Sequence, residues 1–364
     1  MVNMGDFMKI LVINPGSTST KIAVYNDEMQ VLEESLRHDV EVLSKFKDIF
    51  SQLDFRAGII SDFLSKNNLA LSEFDAIAAR GGTLPPAEGG TYKVDESLLD
   101  ATKNHYVAEH PSLLGALIAD SLSKEAGIPA FITDPVSVDE WHELSRFSGL
   151  PELPRISLSH ALNLRAVARR MSSDIGKPYN ELNLIIIHLG GGISVAAHKK
   201  GRQIDANNAN EDGPFSPERT GSLPVASVVK ECFSGKYDFS EMKKRITKTG
   251  GLVAYLGTND VRKVISLIES GDKKAETILD AMLYQVAKET GRMAAVLHGK
   301  VDAIAISGGI AHNKILTDKL SEWIDFIAPV HVYPGEDEML ALAQGAIRVM
   351  KGEESAKIFK GGKI

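Results

Sequence analysis

Cysteine is nearly absent from this 364-residue sequence, in which Cys232 is the only one. A single thiol excludes an internal disulfide and a cysteine-based zinc site, and it favours a reducing compartment, the cytoplasm. No apolar run reaches the length of about 18 residues that would indicate a membrane span. Excess basic charge is also missing, because 41 Lys and Arg stand against 48 Asp and Glu, for a net charge of -7. We therefore expect neither nucleic acid nor an anionic membrane surface as a partner.

The two common nucleotide-binding motifs are missing as well. Neither Gly-x-x-x-x-Gly-Lys-Ser/Thr nor Gly-x-Gly-x-x-Gly at the start of a helix occurs near the glycine-rich turns. The composition itself is that of a globular protein, with 43% hydrophobic and 24% charged residues. The chain is long enough for two domains with full cores.

The stretch over residues 9–25 predicts a hairpin that could hold phosphate. Strand formers occupy 11–13 and 22–25, and the turn between them, 14–19, contains one Pro, one Gly and three hydroxyl residues. Small residues let backbone N–H groups approach a phosphate, and hydroxyl groups add donors. Taken alone, the stretch favours an ordinary hairpin with a Ser/Thr turn over a phosphate-binding one.

The same plan recurs twice, and the recurrence favours the phosphate-binding interpretation. Residues 184–197 form an apolar strand, a Gly190-Gly-Gly192 turn and a second strand, while the apolar strand 303–307 runs into Gly308-Gly309. Three such turns suggest a duplicated domain around one nucleotide. We therefore predict an α/β fold of the two-lobed actin, hexokinase and Hsp70 type (ASKHA), with central mixed sheets flanked by helices.

Polar side chains at the ends of predicted strands and helices are further candidates. Arg80 follows the strand 75–79 beside flexible glycines, where an Arg can clamp a carboxylate or phosphate, and Asp134 follows the strand 129–133. His110 and His160 fall at helix starts, and Arg219 lies near the end of the long loop 207–221. A solvent-facing Arg, a simple Asp-Pro turn and a capping His are the alternatives.

Helical periodicity and stop signals set the predicted organisation. The apolar spacing over 42–64 indicates a helix that Gly58 interrupts, and Gly127 ends a helix over 112–126. Asp260 and Asp272 are the expected N-caps of two later helices. We place the domain boundary near residue 165: residues 1–165 form the N-terminal lobe with the first phosphate hairpin, completed by a closing helix over 341–364, and residues 166–340 form the C-terminal lobe with the second hairpin and the adenosine site.

Six motifs in order resemble the acetate and butyrate kinases, the acetokinase family. They are Asn14-Pro-Gly-Ser-Thr-Ser-Thr-Lys21, Arg80-Gly-Gly, His188-Leu-Gly-Gly-Gly-Ile-Ser194, Ser216-Pro-Glu-Arg-Thr-Gly221, Ser307-Gly-Gly-Ile-Ala-His-Asn313 and Glu336-Asp-Glu-Met339. The resemblance covers nearly the whole chain. The run from Arg80 to Val94 and the shorter length are similar to the butyrate kinase branch in particular.

The resemblance implies phosphoryl transfer between ATP and a short-chain carboxylate, with Mg2+ bound to the ATP, and ADP and an acyl phosphate as the products. It also implies a homo-oligomer. The implied catalytic residues are Arg80, Asp134, His160 and Arg219. The implied phosphate and nucleotide ligands are Ser17, Ser19, Lys21, His188, Gly190, Gly191, Gly192, Ser307, Gly308, Gly309, Ile310 and Asn313. Asn14 and Glu338 are the implied metal-side residues, with Glu336 and Asp337 as competitors for the place of Glu338.

Two other classes of function remain open on sequence alone. A phosphohydrolase on the same fold would need a carboxylate that activates water, and Asp134 could serve that purpose. A non-catalytic, ATP-switched binding module of the chaperone type would need a further substrate-binding domain, whereas the two lobes use all 364 residues.

Overall fold

Two mixed β-sheets organise the chain in the computed structural model, which describes residues 7–361. Within that range the strands are β1 (Lys9–Pro15), β2 (Ser19–Asn26), β3 (Met29–Arg37), β4 (Ala76–Ala79), β5 (Thr91–Lys93), β6 (Ala130–Thr133), β7 (Asn183–Leu189), β8 (Ile193–Lys199), β9 (Arg202–Ala206), β10 (Ala303–Gly308) and β11 (Val330–Pro334). The helices are α1 (Val40–Leu43), α2 (Leu53–Lys66), α3 (Glu96–Asn104), α4 (Leu114–Ala126), α5 (Ala161–Ile175), α6 (Val225–Cys232), α7 (Phe239–Thr247), α8 (Gly251–Leu256), α9 (Val261–Glu269), α10 (Lys273–Val296), α11 (Lys314–Ile324) and α12 (Glu338–Met350).

The chain divides into two compact units. The first unit runs up to Asp139 and resumes at Asp337, and the second unit spans Glu140–Glu336. The predicted boundary near residue 165 falls inside α5, which belongs wholly to the second unit because Trp141 already packs in one core cluster with Leu164 and other residues of that helix. Residues 1–6 and 362–364, which the prediction assigned to the N-terminal lobe, lie outside the described residues.

The sheet of the first unit has the strand order β3-β2-β1-β4-β6-β5. Strands β1 to β3 are antiparallel, whereas β1, β4 and β6 are parallel, with β5 antiparallel at the edge. Both α4 and α12 pack on β1 and β4. Because helices cover these strands, they are apolar throughout rather than alternating, and the run over residues 10–13 is fully buried.

The sheet of the second unit repeats this plan with the order β11-β10-β7-β8-β9. Strands β7 to β9 are antiparallel, and β7, β10 and β11 are parallel. Each sheet therefore consists of an antiparallel meander whose first strand starts a parallel series. This agreement supports the predicted duplication and the predicted hairpins at both glycine turns.

Local signals set the ends of several helices as predicted. Gly127 adopts the left-handed conformation after α4, and Asp260 and Asp272 accept hydrogen bonds from backbone N–H groups at the starts of α9 and α10. The predicted interruption at Gly58 is wrong, since α2 continues through it and Ile60, Phe63 and Leu64 are buried in the core. Among the described residues, none of the helices combines the length and the hydropathy that a membrane crossing requires.

Candidate active site

The first glycine turn connects β1 to β2 with a short backbone loop. The N–H of Gly16 donates to the carbonyl oxygen of Ser19 at 2.8 Å, and the strands pair from Pro15 opposite Thr20 outward. Ser17 is exposed, as is Lys21, while Ser19 is half-buried. The turn therefore presents hydroxyl groups and an ammonium group at the surface, as expected of a phosphate-binding turn.

A buried guanidinium lies behind this turn. Arg56 of α2 is 0% exposed, and its Nη1 donates to the carbonyl oxygen of Ser19 and to Oγ1 of Thr20, both at 3.1 Å. Its Nη2 has no hydrogen-bond partner, and burial lowers the pKa of the group from its ordinary value. A positive charge at this depth favours an anion at the turn above it.

Glu338 joins two of the predicted site residues within the first unit. Its Oε1 accepts from Nη1 of Arg80 at 2.7 Å, and its Oε2 accepts from Nδ2 of Asn14 at 3.1 Å. Glu338 begins α12, Arg80 follows β4 and Asn14 lies near the end of β1. Two strands of the sheet and a helix packed on it therefore meet at this point. Glu338, one of the three competing carboxylates, is thus hydrogen-bonded to Asn14.

The pair Asn14 and Glu338 fits a magnesium ion that keeps water and phosphate ligands. Nδ2 of Asn14 donates to Glu338, so Oδ1 of Asn14 is the amide atom that would coordinate a cation. Amide and carboxylate oxygens are hard ligands, and Mg2+ is usually held by one or two protein groups together with substrate phosphates. Among residues 7–361 no group of three or more His, Cys, Asp or Glu side chains could hold a metal by itself.

Three aspartates of the first unit, Asp27, Asp134 and Asp337, adopt backbone conformations that are uncommon for any residue except glycine. Asp134 has φ 41° and Asp337 has φ 40°. Asp134 follows β6, is 1% exposed and accepts from the N–H of Gly90 at 2.7 Å through Oδ1, while its own N–H donates to the carbonyl oxygen of Gly90 at 3.0 Å. Such strain persists only where surrounding contacts enforce it, and it is concentrated at functional sites.

His110 caps the short helical turn that precedes α4. Its Nδ1 accepts from the N–H of Ser112 at 3.2 Å. His110 is therefore a capping residue, which was one of the alternatives that the sequence left open. Burial, and then the charges of Arg80 and Arg56, lower the pKa of His110. The ring is therefore neutral near neutral pH, next to a cationic part of the first unit.

The second glycine turn lies against Arg219 in the second unit. The hydroxyl of Ser216 donates to the carbonyl oxygen of Gly191 at 2.6 Å and accepts from the N–H of Arg219 at 3.1 Å. A Cβ at Gly192 would overlap the Arg219 guanidinium. Nη1 of Arg219 donates to Ala209, its buried Nε has no partner, and burial lowers the pKa of the group. An unsatisfied, desolvated guanidinium beside a glycine turn is suited to bind an anion.

Two imidazoles stack beside this turn. The rings of His160 and His188 have centroids 4.1 Å apart and an interplanar angle of 18°. Nδ1 of His160 is 2.9 Å from Oγ of Ser194, and Nδ1 of His188 is 2.8 Å from Oδ1 of Asn163. Nε2 of His188 lies 3.6 Å from a carboxylate oxygen of Glu336. Glu336 therefore contacts His188 of this stacked pair.

The third glycine turn leads from β10 into α11. Gly308 has φ 91° and sits so close to the Leu189 backbone that a Cβ would overlap its carbonyl group, which only glycine avoids. Gly309 is exposed and Ile310 is half-buried against the core. Oδ1 of Asn313 accepts from the N–H of Leu316 at 3.1 Å as the N-cap of α11, so part of its polar capacity is used locally.

The predicted site residues thus fall into one group in each unit. In the first unit, Glu338 contacts both Asn14 and Arg80. In the second unit, His160 and His188 stack on each other. The sequence did not identify four residues that contact the glycine turns or the histidines: Arg56, Asn163, Ser194 and Ser216. Asn163 could have been found from its position three residues after His160, on the same face of a helix, and Ser216 from its place in the Arg219 motif.

Comparisons with known proteins agree with this organisation. A family model described as the acetokinase family matches residues 158–326. Butyrate kinase 2 of Clostridium acetobutylicum is 51% identical over 353 residues, covering 97% of this chain and 99% of that protein. A protein described as "Probable butyrate kinase 2" of Caldanaerobacter subterraneus subsp. tengcongensis is 52% identical over 351 residues, covering 96% and 99%.

Solved structures show the fold. The acetate kinase of Porphyromonas gingivalis has a TM-score of 0.79 at 17% identity, with 94% of this chain and 100% of that chain covered. A propionate kinase from Francisella tularensis subsp. tularensis SCHU S4 has a TM-score of 0.73 at 17% identity, with 93% and 98% covered. The duplicated α/β fold of the actin, hexokinase and Hsp70 type is therefore confirmed.

Proposed function

Because the chain belongs to the acetokinase family, we propose that it transfers the γ-phosphoryl group of ATP to the carboxylate of butanoate, giving ADP and butanoyl phosphate. The observation that carries the choice of acid is the identity of about half of all residues, over nearly the whole chain, with proteins named butyrate kinases. A carboxyl group has a pKa near that of Asp or Glu side chains, so butanoate is already a nucleophile at neutral pH. The protein needs to position the reactants and neutralise charge rather than to abstract a proton.

In the first unit we assign Arg80 to the carboxylate of the acid, and Ser17, Ser19 and Lys21 to phosphate. Asn14 and Glu338 would hold Mg2+, which neutralises charge on the phosphates of ATP. The ion pair between Arg80 and Glu338 supports these two roles together, since a bound acid and a cation would each replace one half of it. Asp134 is assigned to orientation of the cationic side chains.

In the second unit we assign Arg219 to the transferring phosphoryl group. Its unpartnered Nε supports this role, because a desolvated donor gains most when charge develops on a nearby oxygen. His160 would donate to the same group, while His188 and Gly190 to Gly192 would bind nucleotide phosphates. Residues 307–313 would lie along the adenosine.

We also infer that the protein acts as a homo-oligomer in the cytoplasm, where ATP and ADP are found. Val225, Val229 and Phe233 recur at helical spacing on α6 and its end and are 77%, 51% and 88% exposed. An apolar stripe of this kind supports contact with a second copy. Sedimentation of Val229→Glu should show dissociation if this helix is the contact, and an unchanged oligomer would exclude it.

Trapping with hydroxylamine tests the proposed reaction. Protein incubated with ATP, Mg2+, butanoate and hydroxylamine should give butanohydroxamate in proportion to ADP. A phosphohydrolase would instead release phosphate independently of butanoate, and a binding module would release neither product. Arg80→Met, purified in parallel, should lose the activity, which excludes a contaminating host kinase. Hydroxamate formation that survives in this variant, or that never occurs, contradicts the proposal.

A further inference from the structure

The loop that carries Arg219 is closed at its base by hydrogen bonds between Gly213 and Ser222. The N–H of Ser222 donates to the carbonyl oxygen of Gly213 at 2.9 Å, and the N–H of Gly213 donates to Oγ of Ser222 at 3.0 Å. A Cβ at Gly221 would overlap the carbonyl oxygen of Gly213, so the two ends of the loop approach as closely as glycine permits. Residues 213–222 therefore form one closed segment, the Arg219 loop.

The carboxylate of Asp212 lies at the base of the Arg219 loop. Its Oδ1 accepts from the N–H of Gly213 at 2.7 Å and from the hydroxyl of Ser222 at 3.0 Å. Its Oδ2 accepts from Nη2 of Arg155 at 3.2 Å, and Nη1 of Arg292 lies 3.9 Å from Oδ1. One carboxylate therefore joins both ends of the loop to a guanidinium outside it.

Arg155 is itself fixed by several acceptors. Its Nη1 donates to the carbonyl oxygen of Ser145 at 2.7 Å and to Oδ1 of Asp205 at 3.1 Å, and its Nη2 donates to the carbonyl oxygen of Ala206 at 2.9 Å. A guanidinium presents its donors in one rigid plane, so these contacts together set its orientation. Because Asp205 and Ala206 end β9, Arg155 anchors Asp212 to the second sheet.

The backbone of Asp212 is attached to the strand that follows the second glycine turn. Asn207, which is 0% exposed, accepts from the N–H of Val195 at 2.6 Å through Oδ1. Its Nδ2 donates to the carbonyl oxygens of Ile193 at 2.9 Å and Asp212 at 3.3 Å. Ile193 is the first residue of β8. The side chain and the backbone of Asp212 are thus attached to neighbouring strands, β9 and β8.

The turn that ends at Asp212 holds the guanidinium of Arg219. The N–H of Asp212 donates to the carbonyl oxygen of Asn208 at 2.9 Å and so closes a turn over 208–212. Within this turn the carbonyl oxygen of Ala209 accepts from Nη1 of Arg219 at 3.0 Å. Asp212 therefore belongs both to the support of the Arg219 backbone and to the support of its guanidinium.

We propose that Asp212 is a positioning residue for Arg219: its carboxylate fixes the base of the Arg219 loop to Arg155, and its backbone fixes the turn whose carbonyl oxygen accepts from the guanidinium. The proposal rests on the proposed function in naming the transferring phosphoryl group as the anion that Arg219 binds. Stabilisation of that group depends on the placement of the donor, and a displacement of about 1 Å can reduce turnover on the order of 100-fold.

NMR of arginine side chains tests the position of Arg219 without any assay of activity. In 15N-arginine-labelled protein, the Nε–H signal that disappears in Arg219→Lys belongs to Arg219. This signal should shift in Asp212→Asn, which keeps the shape of the side chain but removes the negative charge at the loop base. Ser222→Ala removes only the hydroxyl that donates to Asp212 and should cause a smaller shift.

Asp260→Asn is the matched control for this measurement. Asp260 also pairs with an arginine, at 2.9 Å from Nη2 of Arg262, but it caps α9 and lies outside the Arg219 loop. The control should leave the Arg219 signal in place. An Arg219 signal that also stays in place in Asp212→Asn and Ser222→Ala overturns the proposal.

A double-mutant cycle on turnover tests whether Asp212 acts through Arg219. Asp212→Asn should lower butanoate-dependent turnover by about 10- to 100-fold and change ADP affinity by less than about 3-fold. In the Arg219→Lys background the same substitution should cost less than about 3-fold, because the group that Asp212 positions is already missing. Equal losses in the two backgrounds overturn the positioning role.

Two further arrangements keep the proposal open to contradiction. If Asp212→Asn does not fold, Ser222→Ala carries both tests, since Ser222 is exposed. Failure of the proposed function is a separate result, in which the unaltered protein shows no butanoate-dependent turnover while the Arg219 signal still responds to Asp212→Asn.

Discussion

The carboxylate of Glu338 accepts from the amide of Asn14 and the guanidinium of Arg80 at once. A substitution that removes the charge of Glu338 but keeps the shape of its side chain tests whether the carboxylate also binds a metal ion. Glu338→Gln and Asn14→Ala should each raise the Mg2+ concentration for half-maximal activity by about 10- to 100-fold, because each removes an oxygen ligand or its charge. Circular dichroism should show that both variants fold.

Glu336→Gln is the control for this prediction. Glu336 lies two positions away from Glu338 in the chain but contacts His188, so its loss should leave the Mg2+ requirement unchanged. If Glu336→Gln raises the requirement and Glu338→Gln does not, the metal assignment belongs to Glu336.

Arg219→Lys tests whether Arg219 binds the transferring phosphoryl group. A lysine keeps the charge but lacks the planar fork, and the donor that is unpartnered at rest, Nε, disappears. Turnover should fall by about 100- to 1,000-fold while ADP affinity changes little, because the interaction strengthens mainly in the transition state. Arg262→Lys, at a guanidinium whose side chain is 91% exposed, should change neither quantity. Parallel losses of turnover and affinity would assign Arg219 to ground-state binding instead.

Residues with strong local signals were predictable from the sequence, whereas those defined by distant contacts were not. The caps Asp260 and Asp272 act within their own helices. Asn163 and Glu336, by contrast, are 173 positions apart, and Arg56 and Ser19 are 37 apart. The apolar spacing of α2 does not predict that Arg56 is buried, because Arg is almost never fully buried unless a partner is present. The partners of Arg56 lie on a distant part of the chain.

At the scale of elements, the approach of α4 to the end of β4 determines where Arg80 lies. Gly115 permits it, because a Cβ there would overlap the carbonyl oxygen of Arg80. Gly115→Ala should therefore destabilise the first unit by about 1–3 kcal/mol through overpacking and also lower turnover by displacing Arg80. Urea unfolding measures the first effect, and hydrogen exchange of α4 and β4 amides locates it.

Gly58→Ala is the matched control within the same unit. Gly58 lies inside α2 with nothing near the position that a Cβ would take, so alanine should stabilise the helix by about 0.5–1 kcal/mol. A loss of stability in both variants would mean that the close approach of α4 to β4 does not explain the effect at Gly115. A gain in both would mean that α4 can move away from β4 without cost.

Strands and hairpins were the elements that the sequence predicted best. Continuous apolar runs next to small-residue turns gave β1, β2, β7 and β8, because the pattern and the turn chemistry are both local. The helix that the apolar spacing predicts over 42–64 begins only at Leu53 as α2. It continues through Gly58, because burial of Ile60 and Phe63 outweighs the low helix propensity of glycine.

At the scale of the whole chain, the repeated sheet plan was predictable from three recurring turns, but the limits of the units were not. The apolar spacing of α5 looks the same whichever unit it joins, and only the packing of Trp141 against that helix shows that the second unit begins at Glu140. The proposed choice of butanoate likewise depends mainly on identity over nearly the whole chain, to which the run from Arg80 to Val94 adds one local feature.

In the proposed reaction, a carboxylate oxygen of butanoate attacks the γ-phosphorus of ATP. Phosphorus NMR with butanoate labelled with 18O in the carboxylate tests it most directly. We expect ADP and butanoyl phosphate as products, with 18O in the bridge between carbon and phosphorus and the isotope shift that this bridge gives to the phosphorus signal. Formation of AMP and pyrophosphate, or of ADP with unlabelled phosphate regardless of butanoate, would contradict it.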